Sequence, residues 1–553
     1  MLENASTNYD SIKIDGANKS AIEVCKQRII AVSVIFFVAT VLISIKLFYV
    51  SSSGSVIKTE IINDQLPIVR GKILDRNDKI LAVSLPSYSL HVNGTKVRKP
   101  VILLAKLSKI IPTIDKSKIL KKINDQKKFI YIARQLTPKV AEEVHLLGEP
   151  SLDFDIESLR LYPLEKETGY LLGYMGFDDK PHAGVERSFD EKLKQGKDVK
   201  LTLDSRLQSI VYDKLKDGFI EFNAKAAVGI IMDVTNGEIL AAVSIPDFNP
   251  NLRSQHKSGN SNNRVTMSNY EMGSIFKSFT IASGLNENLI NLDSRFDASK
   301  PYEVKGKIVT DFHPKNRILS LKEVFVYSSN IGSAMIAMKL GKEKQNHYLI
   351  ALGLNKTIDS GIKEINAPLF PEVVSEADIV SRSYGYHISV NPLQVIAALA
   401  ATVNGGKYIE PFVVDDPIYK KRPSVQVFKP EVSNIMRYLY RSVVSDGGTA
   451  SKINIKEYKI GGKTGTASPV ENGQYNTEKN IVSFISFLPI NDPKYAIFIL
   501  LDNPNPHKKL QATAGWTAVP IARDIVREMA PVVGEPGLNF NMTKNINKEA
   551  ILQ

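Results

Sequence analysis

Tyr270-Glu271-Met272-Gly273-Ser274-Ile275-Phe276-Lys277 is the stretch on which the reading of this chain turns. Where S-x-x-K opens a helix, its Ser and Lys share one face, because residues three apart stack on consecutive turns. A serine hydroxyl is a poor nucleophile until a neighbouring base takes its proton. A lysine can be that base once desolvation favours its neutral form. Ile275, Phe276 and Phe279 supply the apolar surroundings, and Gly273 permits close approach of substrate and backbone. The helix N-terminus favours negative charge on a bound oxyanion. Ser274 is therefore the candidate nucleophile and Lys277 its candidate base.

The tetrad alone carries little weight, since Ser55-Val56-Ile57-Lys58 and Ser254-Gln255-His256-Lys257 fit it too. Two downstream motifs raise its weight. Ser328-Ser329-Asn330 is an S-x-N, a pattern met also at Ser261-Asn262-Asn263. Lys463-Thr464-Gly465-Thr466 holds the single K-T-G of the chain, at the end of a strand expected over residues 458–463. There Gly465 leaves room for a ligand along the strand edge. The ordered triple, each member on a fitting element, is the serine acyl-transfer signature.

Outward from the triple, the pattern is of strands and helices. Residues 226–232 and 238–244 are β-rich and joined through Asn236-Gly237, the strongest short hairpin signal. Residues 481–488 and 495–501, separated by Pro489-Ile490-Asn491-Asp492-Pro493, predict a second hairpin. An amphipathic helix is expected over 515–529. Helical segments, 331–340 and 393–403 among them, fill the span between the strand groups. That is an antiparallel sheet covered by helices, with a large helical insertion.

Near the N-terminus, residues 29–45 carry no charge and are rich in Ile, Val and Phe. Lys46 then interrupts before Leu47-Phe48-Tyr49-Val50. About 20 apolar residues span ~30 Å of hydrocarbon, and Lys46 can snorkel to the interface. Lys13, Lys19, Lys26 and Arg28 mark the inner side, which places residues 1–28 in the cytoplasm and everything after Tyr49 outside. The run is longer than a signal-peptide core, so an uncleaved anchor is expected, although Ser51-Ser52-Ser53-Gly54 is small enough for cleavage.

Composition excludes other classes. The 553 residues are 43% hydrophobic and 23% charged, an ordinary globular balance spread over more than one domain. The net charge of +13 comes without long Lys/Arg runs or a nucleic-acid-binding motif, so no nucleic-acid partner is expected. Cys25 is the single cysteine, which rules out an internal disulfide, and the eight His residues show no HExxH. No metal and no cofactor are expected.

Over most of its length the chain resembles the class B penicillin-binding proteins. Arg70-Gly71-Lys72-Ile73-Leu74-Asp75-Arg76-Asn77 is similar to the R-G-x-I-x-D-R element that opens that class. Arg160-Leu161-Tyr162-Pro163, Gly184-Val185-Glu186 and Leu201-Thr202-Leu203-Asp204 resemble later elements of its non-catalytic pedestal. Residues 270–277 resemble the family's Y-E-P-G-S-x-F-K, with Met272 in place of Pro. His387, in Tyr384-Gly385-Tyr386-His387, stands where the family tends to have a second Gly, and can either narrow the site floor or face away. A β-lactamase would lack the pedestal, and a bifunctional class A synthase would need a glycosyltransferase domain that does not fit here. Ser-Ser-Asn, Ser483-Phe484 and the Pro before the last strand resemble the septal rather than the elongation type.

The resemblance implies an α/β chain with the penicillin-binding transpeptidase fold: an antiparallel five-stranded sheet flanked by helices, plus a helical subdomain. A mixed α+β pedestal and one transmembrane helix precede it. The expected division is a cytoplasmic leader 1–28, anchor 29–50, pedestal 51–205, transpeptidase domain 206–535 and polar tail 536–553. The implied activity is D,D-transpeptidation of peptidoglycan stem peptides carried on glycan or lipid-linked precursor, with penicillin and other β-lactams acylating the same serine. In that scheme Ser274 attacks, Lys277 is the base, Ser328 relays the proton and Asn330 orients the Lys and the substrate amide. Lys463 keeps the region electropositive. Thr464 and Thr466 hold the terminal carboxylate beside Gly465, and the N–H groups of Ser274 and Thr466 form the oxyanion hole. Implied partners are the inner membrane, a polytopic glycosyltransferase and other division proteins. Two further classes stay open: a β-lactam sensor, for which a leader of 28 residues leaves little room, and a scaffold with little turnover.

Overall fold

The structure is a computed structural model that describes residues 16–52, 69–176, 180–252, 262–455, 457–471, 473–505 and 512–534. Residues 1–15 of the expected leader, the tail 536–553, Ser53-Gly54, Ser261 and the look-alike tetrads at 55–58 and 254–257 lie outside the described residues. Two units are distinct, Met1–Ile68 and Val69–Gln553. In the first, helix α1 (Gly16–Ser52) contains Glu23–Phe48, a segment long and apolar enough to cross a membrane. The helix starts well before the apolar run, because nothing in Gly16-Ala17-Asn18-Lys19-Ser20 breaks it.

The second unit begins with a five-stranded mixed sheet: β1 (Ile73–Leu74), β2 (Ile80–Val92), β3 (Ile130–Leu136), β4 (Leu152–Leu161) and β5 (Val199–Lys200). Long β2 pairs with β4 along most of its length and with β1 and β3 at opposite ends. Its alternation puts Leu90 and Val92 against Leu103, Leu107, Ile119 and Ile123 of the helices Pro100–Ile110 and Lys116–Asn124, forming a separate small core. At the other end Ile73, Leu81, Val199 and Leu201 join the main core of the chain.

Three of the quoted elements meet in that basal region. Glu186, fully buried, accepts from Arg160 Nε at 2.6 Å and Arg70 Nε at 2.8 Å, with the Tyr162 hydroxyl donating at 3.3 Å. Arg70 also reaches Asp190 at 2.7 Å, and Arg160 Nη1 donates to the Gly71 carbonyl at 2.8 Å. A fourth element closes the joint: Asp75 accepts from the backbone of Ser205, and Asn77 donates to Asp204. These residues are a structural clasp.

From there helix α2 (Ser205–Glu221) leads into strands β6 (Ala226–Asp233) and β7 (Ile239–Ile245). The helical insertion follows, with α3 (Lys277–Asn286), α4 (Asn330–Ala351), α5 (Pro392–Ala400) and α6 (Pro430–Ser445). The chain then returns as β8 (Gly461–Ala467), β9 (Ile481–Leu488) and β10 (Tyr495–Asp502), and closes on helix α7 (Ala518–Val533). The sheet order is β8-β9-β10-β6-β7, antiparallel throughout, so both expected hairpins form and β10 pairs β6 between them. α2 and α7 pack together against the sheet, while α5 and α6 pack on it elsewhere, so its strands are buried on both faces and read as continuous apolar runs.

Several boundaries differ from expectation, the helix expected over 393–403 among them, which ends at Ala400. The strand expected over 458–463 runs instead from Gly461 to Ala467, so K-T-G-T lies inside it. Glycine weakens intrinsic strand preference, but pairing of Lys463 with Ile485 and of Ala467 with Ile481 carries the ladder through. Helix α4 extends past 340 to Ala351 across a kink at Gly341, whose φ is 78°. The last helix starts three residues late, after a 3-10 turn at Ala514–Trp516.

Candidate active site

Ser274 sits on a single 3-10 turn, Gly273–Phe276, that runs into α3 with Lys277 as its first residue. Gly273 has φ 56°, and a Cβ there would collide with the Thr466 carbonyl of β8. A side chain at Gly465 would likewise lie 2.7 Å from the Met272 carbonyl oxygen. These two glycines let the Ser274 turn lie directly on the edge strand.

Ser328 ends the helix Leu321–Val326 region in a left-handed conformation, φ 61°, which turns the chain sharply before α4. Ser329 caps α4, accepting from Gly332 N–H at 3.0 Å and donating to Asp311 at 2.8 Å. Asn330 is thereby fixed, and its Nδ2 donates to the Thr310 carbonyl at 2.9 Å. Lys463 projects from β8 and donates to Ser328 Oγ at 2.9 Å and to the Thr464 carbonyl at 3.1 Å.

Lys277 is the hub. Its Nζ lies 2.6 Å from the Ser328 carbonyl, 2.7 Å from Asn330 Oδ1, 2.8 Å from Ser274 Oγ and 3.1 Å from Ser328 Oγ. A neutral amine has two N–H groups and one lone pair. The two carbonyl oxygens accept only, so they take the N–H groups and leave the lone pair for the hydroxyl proton of Ser274. Burial, and after it the charge of Lys463, hold Lys277 well below the usual lysine range, opposed by Asp311. Burial also lowers Lys463, to about 7. One site with two buried lysines favours sharing a single charge, and the pair titrates together.

A pH dependence follows. With Lys277 as the base for acylation of Ser274, the rate would rise as pH climbs through the depressed value of that group. With the charge of Lys463 also required, it would fall as pH passes about 7. A bell-shaped profile is expected for the reaction with a chromogenic cephalosporin, followed from about pH 5 to 9.

The sequence-predicted residues Ser274, Lys277, Ser328, Asn330 and Lys463 thus come together in one hydrogen-bonded cluster. Thr464, Gly465 and Thr466 line the cleft above it. The Thr464 hydroxyl is paired at 2.7 Å with that of Thr449, a residue sequence reasoning missed. Also missed were Asp311, which anchors the start of α4, and the aromatic walls Tyr327, Tyr386 and Trp516. The turn signal Gly447-Gly448 was the only local sign of Thr449. His387 does not narrow the floor. Its φ of 61° explains the family's usual Gly, its N–H donates to Glu271 at 2.8 Å, and its ring lies towards Glu372 and Asp378.

Comparisons with known proteins agree with this geometry. Residues 227–527 match the penicillin binding protein transpeptidase domain, and residues 66–207 match the penicillin-binding protein dimerisation domain. The chain is 32% identical over 482 residues to a probable peptidoglycan D,D-transpeptidase FtsI of Caulobacter vibrioides, covering 84% of this chain and 81% of that one. It is 28% identical to the peptidoglycan D,D-transpeptidase FtsI of Escherichia coli, covering 80% and 81%. A crystal structure of penicillin binding protein 3 from Mycobacterium tuberculosis, complexed with aztreonam, shares the fold with a TM-score of 0.67 at 21% identity, covering 85% of this chain and 98% of that one. With a dimerisation domain preceding a transpeptidase domain and an intact serine–lysine cluster at its centre, the chain belongs to the class B penicillin-binding proteins.

Proposed function

We propose that this class B transpeptidase cross-links peptidoglycan stem peptides through an acyl-enzyme at Ser274, for wall synthesis at the division septum. The observation that carries the reading is the Lys277 amine, held by two carbonyl acceptors with its lone pair free for Ser274.

Ser274 Oγ bonds to the penultimate carbonyl carbon of a D-alanyl-D-alanine end while its proton passes to Lys277. The C–N bond then breaks, and the proton returns through Ser328 to the leaving amine of D-alanine. Lys463 stabilises charge at Ser328. The Ser274 and Thr466 N–H groups receive the oxyanion, at ~3–4 kcal/mol for a donor of this kind. Thr464 and Thr466 bind the terminal carboxylate. The amine of a second stem peptide then attacks the ester and regenerates Ser274. A β-lactam follows the first half and stops at the ester.

Helix α1 would anchor the chain in the inner membrane, its basic N-terminal flank in the cytoplasm and both folded domains outside. We place the pedestal at 51–205, the transpeptidase domain at 206–535, and docking of a polytopic glycosyltransferase and other division proteins on the pedestal and anchor. The septal assignment rests on Ser328-Ser329-Asn330 and on the relatives named FtsI.

The test supplies a D-alanyl-D-alanine donor and an amine acceptor to the detergent-solubilised full chain. D-Alanine release and a cross-linked product are expected, both lost in Ser274→Ala. Product formation that survives in Ser274→Ala would overturn the reading.

A further inference from the structure

Residues 94–139 hold thirteen Lys and Arg against two Asp, a net +11 within the +13 of the whole chain. The remainder is close to neutral, so a general preference for lysine does not account for the charge. The segment runs through the 3-10 turn Gly94–Lys96, the helices Pro100–Ile110 and Lys116–Asn124, and β3 of the pedestal.

Folding draws much of this charge to one edge. The two helices bury Leu103, Leu107, Ile119 and Ile123 against the sheet and turn their polar faces to water. The helix Lys116–Asn124 packs beside β3 and the 3-10 turn. The Gly94 N–H donates to the Lys127 carbonyl at 3.0 Å, and the Lys127 N–H to the Lys122 carbonyl at 3.3 Å. Lys96, Lys118, Lys121, Lys122, Lys127 and Lys128 are thereby gathered around the β3 edge. Among the described residues, the one cation of the segment in an ion pair is Arg134, with Glu157 at 2.6 Å. Like charges gathered this way repel one another and cost stability. An anionic surface laid against this edge relieves that repulsion.

The acids of this part of the pedestal lie elsewhere. Glu142 and Glu143 are on the helix Pro138–His145, which packs beside β2 and the helix Pro100–Ile110. Asp153 and Asp155 are on β4, which pairs the edge of β2 opposite β3. The pedestal is thus electrically polarised, basic at the β3 edge and acidic across the sheet.

Apolar side chains stand among the lysines. Phe129, next to Lys127-Lys128, is 51% exposed, and its ring centre lies 4.8 Å from that of the exposed Tyr131. Val101 and Ile102 are exposed beside Arg98 and Lys99. Lysines that attract anionic headgroups, together with aromatic and aliphatic side chains that enter the interface, make a peripheral lipid-binding surface. A bilayer that holds α1 is also near by covalent connection. Residues 53–68 are a tether of sixteen residues, ~55 Å at full extension, which raises the effective concentration of that bilayer at the pedestal. A separate acidic protein has no such advantage.

We infer that the β3 edge of the pedestal binds the anionic phospholipid headgroups of the membrane that holds α1, as a second attachment besides the anchor. This rests on the anchoring of α1 proposed above.

The experiment reconstitutes the full chain into nanodiscs of phosphatidylcholine, or of phosphatidylcholine mixed with phosphatidylglycerol. Both carry the same fraction of headgroup-spin-labelled lipid as a short-range quencher. In a Cys25→Ser background, a fluorophore is placed through Gln126→Cys on the basic edge, or through Leu146→Cys beside the acidic helix. Quenching at position 126 is expected to be at least about twofold stronger in the anionic discs. The excess is lost in about 0.5 M salt, where charges are screened within ~4 Å. Lys118→Gln, Lys121→Gln, Lys127→Gln and Lys128→Gln together also remove it, while penicillin labelling stays at the wild-type level and reports a folded chain. Position 146 shows no excess. Equal quenching at 126 in the two lipids, an excess that survives the four substitutions, or an equal excess at 146 would overturn the inference and leave the edge to an acidic protein. A chain that enters discs of neither composition would count instead against α1 as an anchor.

Discussion

Lys277→Ala is expected to slow acylation of Ser274 by about 10²- to 10⁴-fold, the usual contribution of a positioned general base. Its amine contacts Ser274, Ser328 and Asn330 at once, so the substitution removes the proton acceptor and the tie that holds the other two. Both carbonyl acceptors lose a donor in a buried place, which adds a local cost. Lys277→Arg should not rescue, because a guanidinium stays charged near neutral pH and has no lone pair for the hydroxyl proton. Stopped-flow acylation by a chromogenic cephalosporin measures this. A loss below about tenfold would show that another group takes the proton.

Glu186→Ala is the second large effect, on stability. The carboxylate is fully buried and receives Arg70, Arg160 and the Tyr162 hydroxyl. Removing one partner of a buried pair leaves uncompensated charge and costs about 3–5 kcal/mol. Arg70 keeps Asp190 and Arg160 keeps the Gly71 carbonyl, which places the cost towards the lower end. For a domain of this size, each kcal/mol shifts the melting point by about 2–4 °C, so a drop of about 6–12 °C is expected in thermal unfolding. Penicillin labelling per folded molecule should stay at the wild-type level, because the clasp lies outside the cleft. A melting point within about 2 °C of wild type would contradict the clasp.

The cluster of Ser274, Lys277, Ser328, Asn330 and Lys463 was legible because each member sits in a short motif with a chemical reason, and the order of the motifs along the chain set them apart from the look-alikes. The sheet was legible because buried strands on both faces read as apolar runs bounded by Asn-Gly and Pro-rich turns. What the sequence hid was set by contacts between distant segments. The expected strand stopped at Lys463, short of Gly465, which favours no strand, and only the pairing of β8 with β9 reveals that it runs on to Ala467. Trp516 carries no local signature and Thr449 only the Gly447-Gly448 turn beside it; they touch Lys452 and Thr464 respectively. Arg70, Arg160 and Glu186 were visible as family elements, yet nothing in one dimension says that they form one buried ion cluster. The left-handed φ of Ser328 and of His387 is likewise imposed by tertiary structure on residues that do not favour it.

The most direct measurement is intact mass spectrometry of the full chain after incubation with benzylpenicillin, followed by peptide mapping. A single covalent adduct on the peptide containing Ser274, absent from Ser274→Ala, is the predicted result. An adduct on another residue, or none on a folded wild-type chain, would contradict the assignment of Ser274 as the acylated nucleophile.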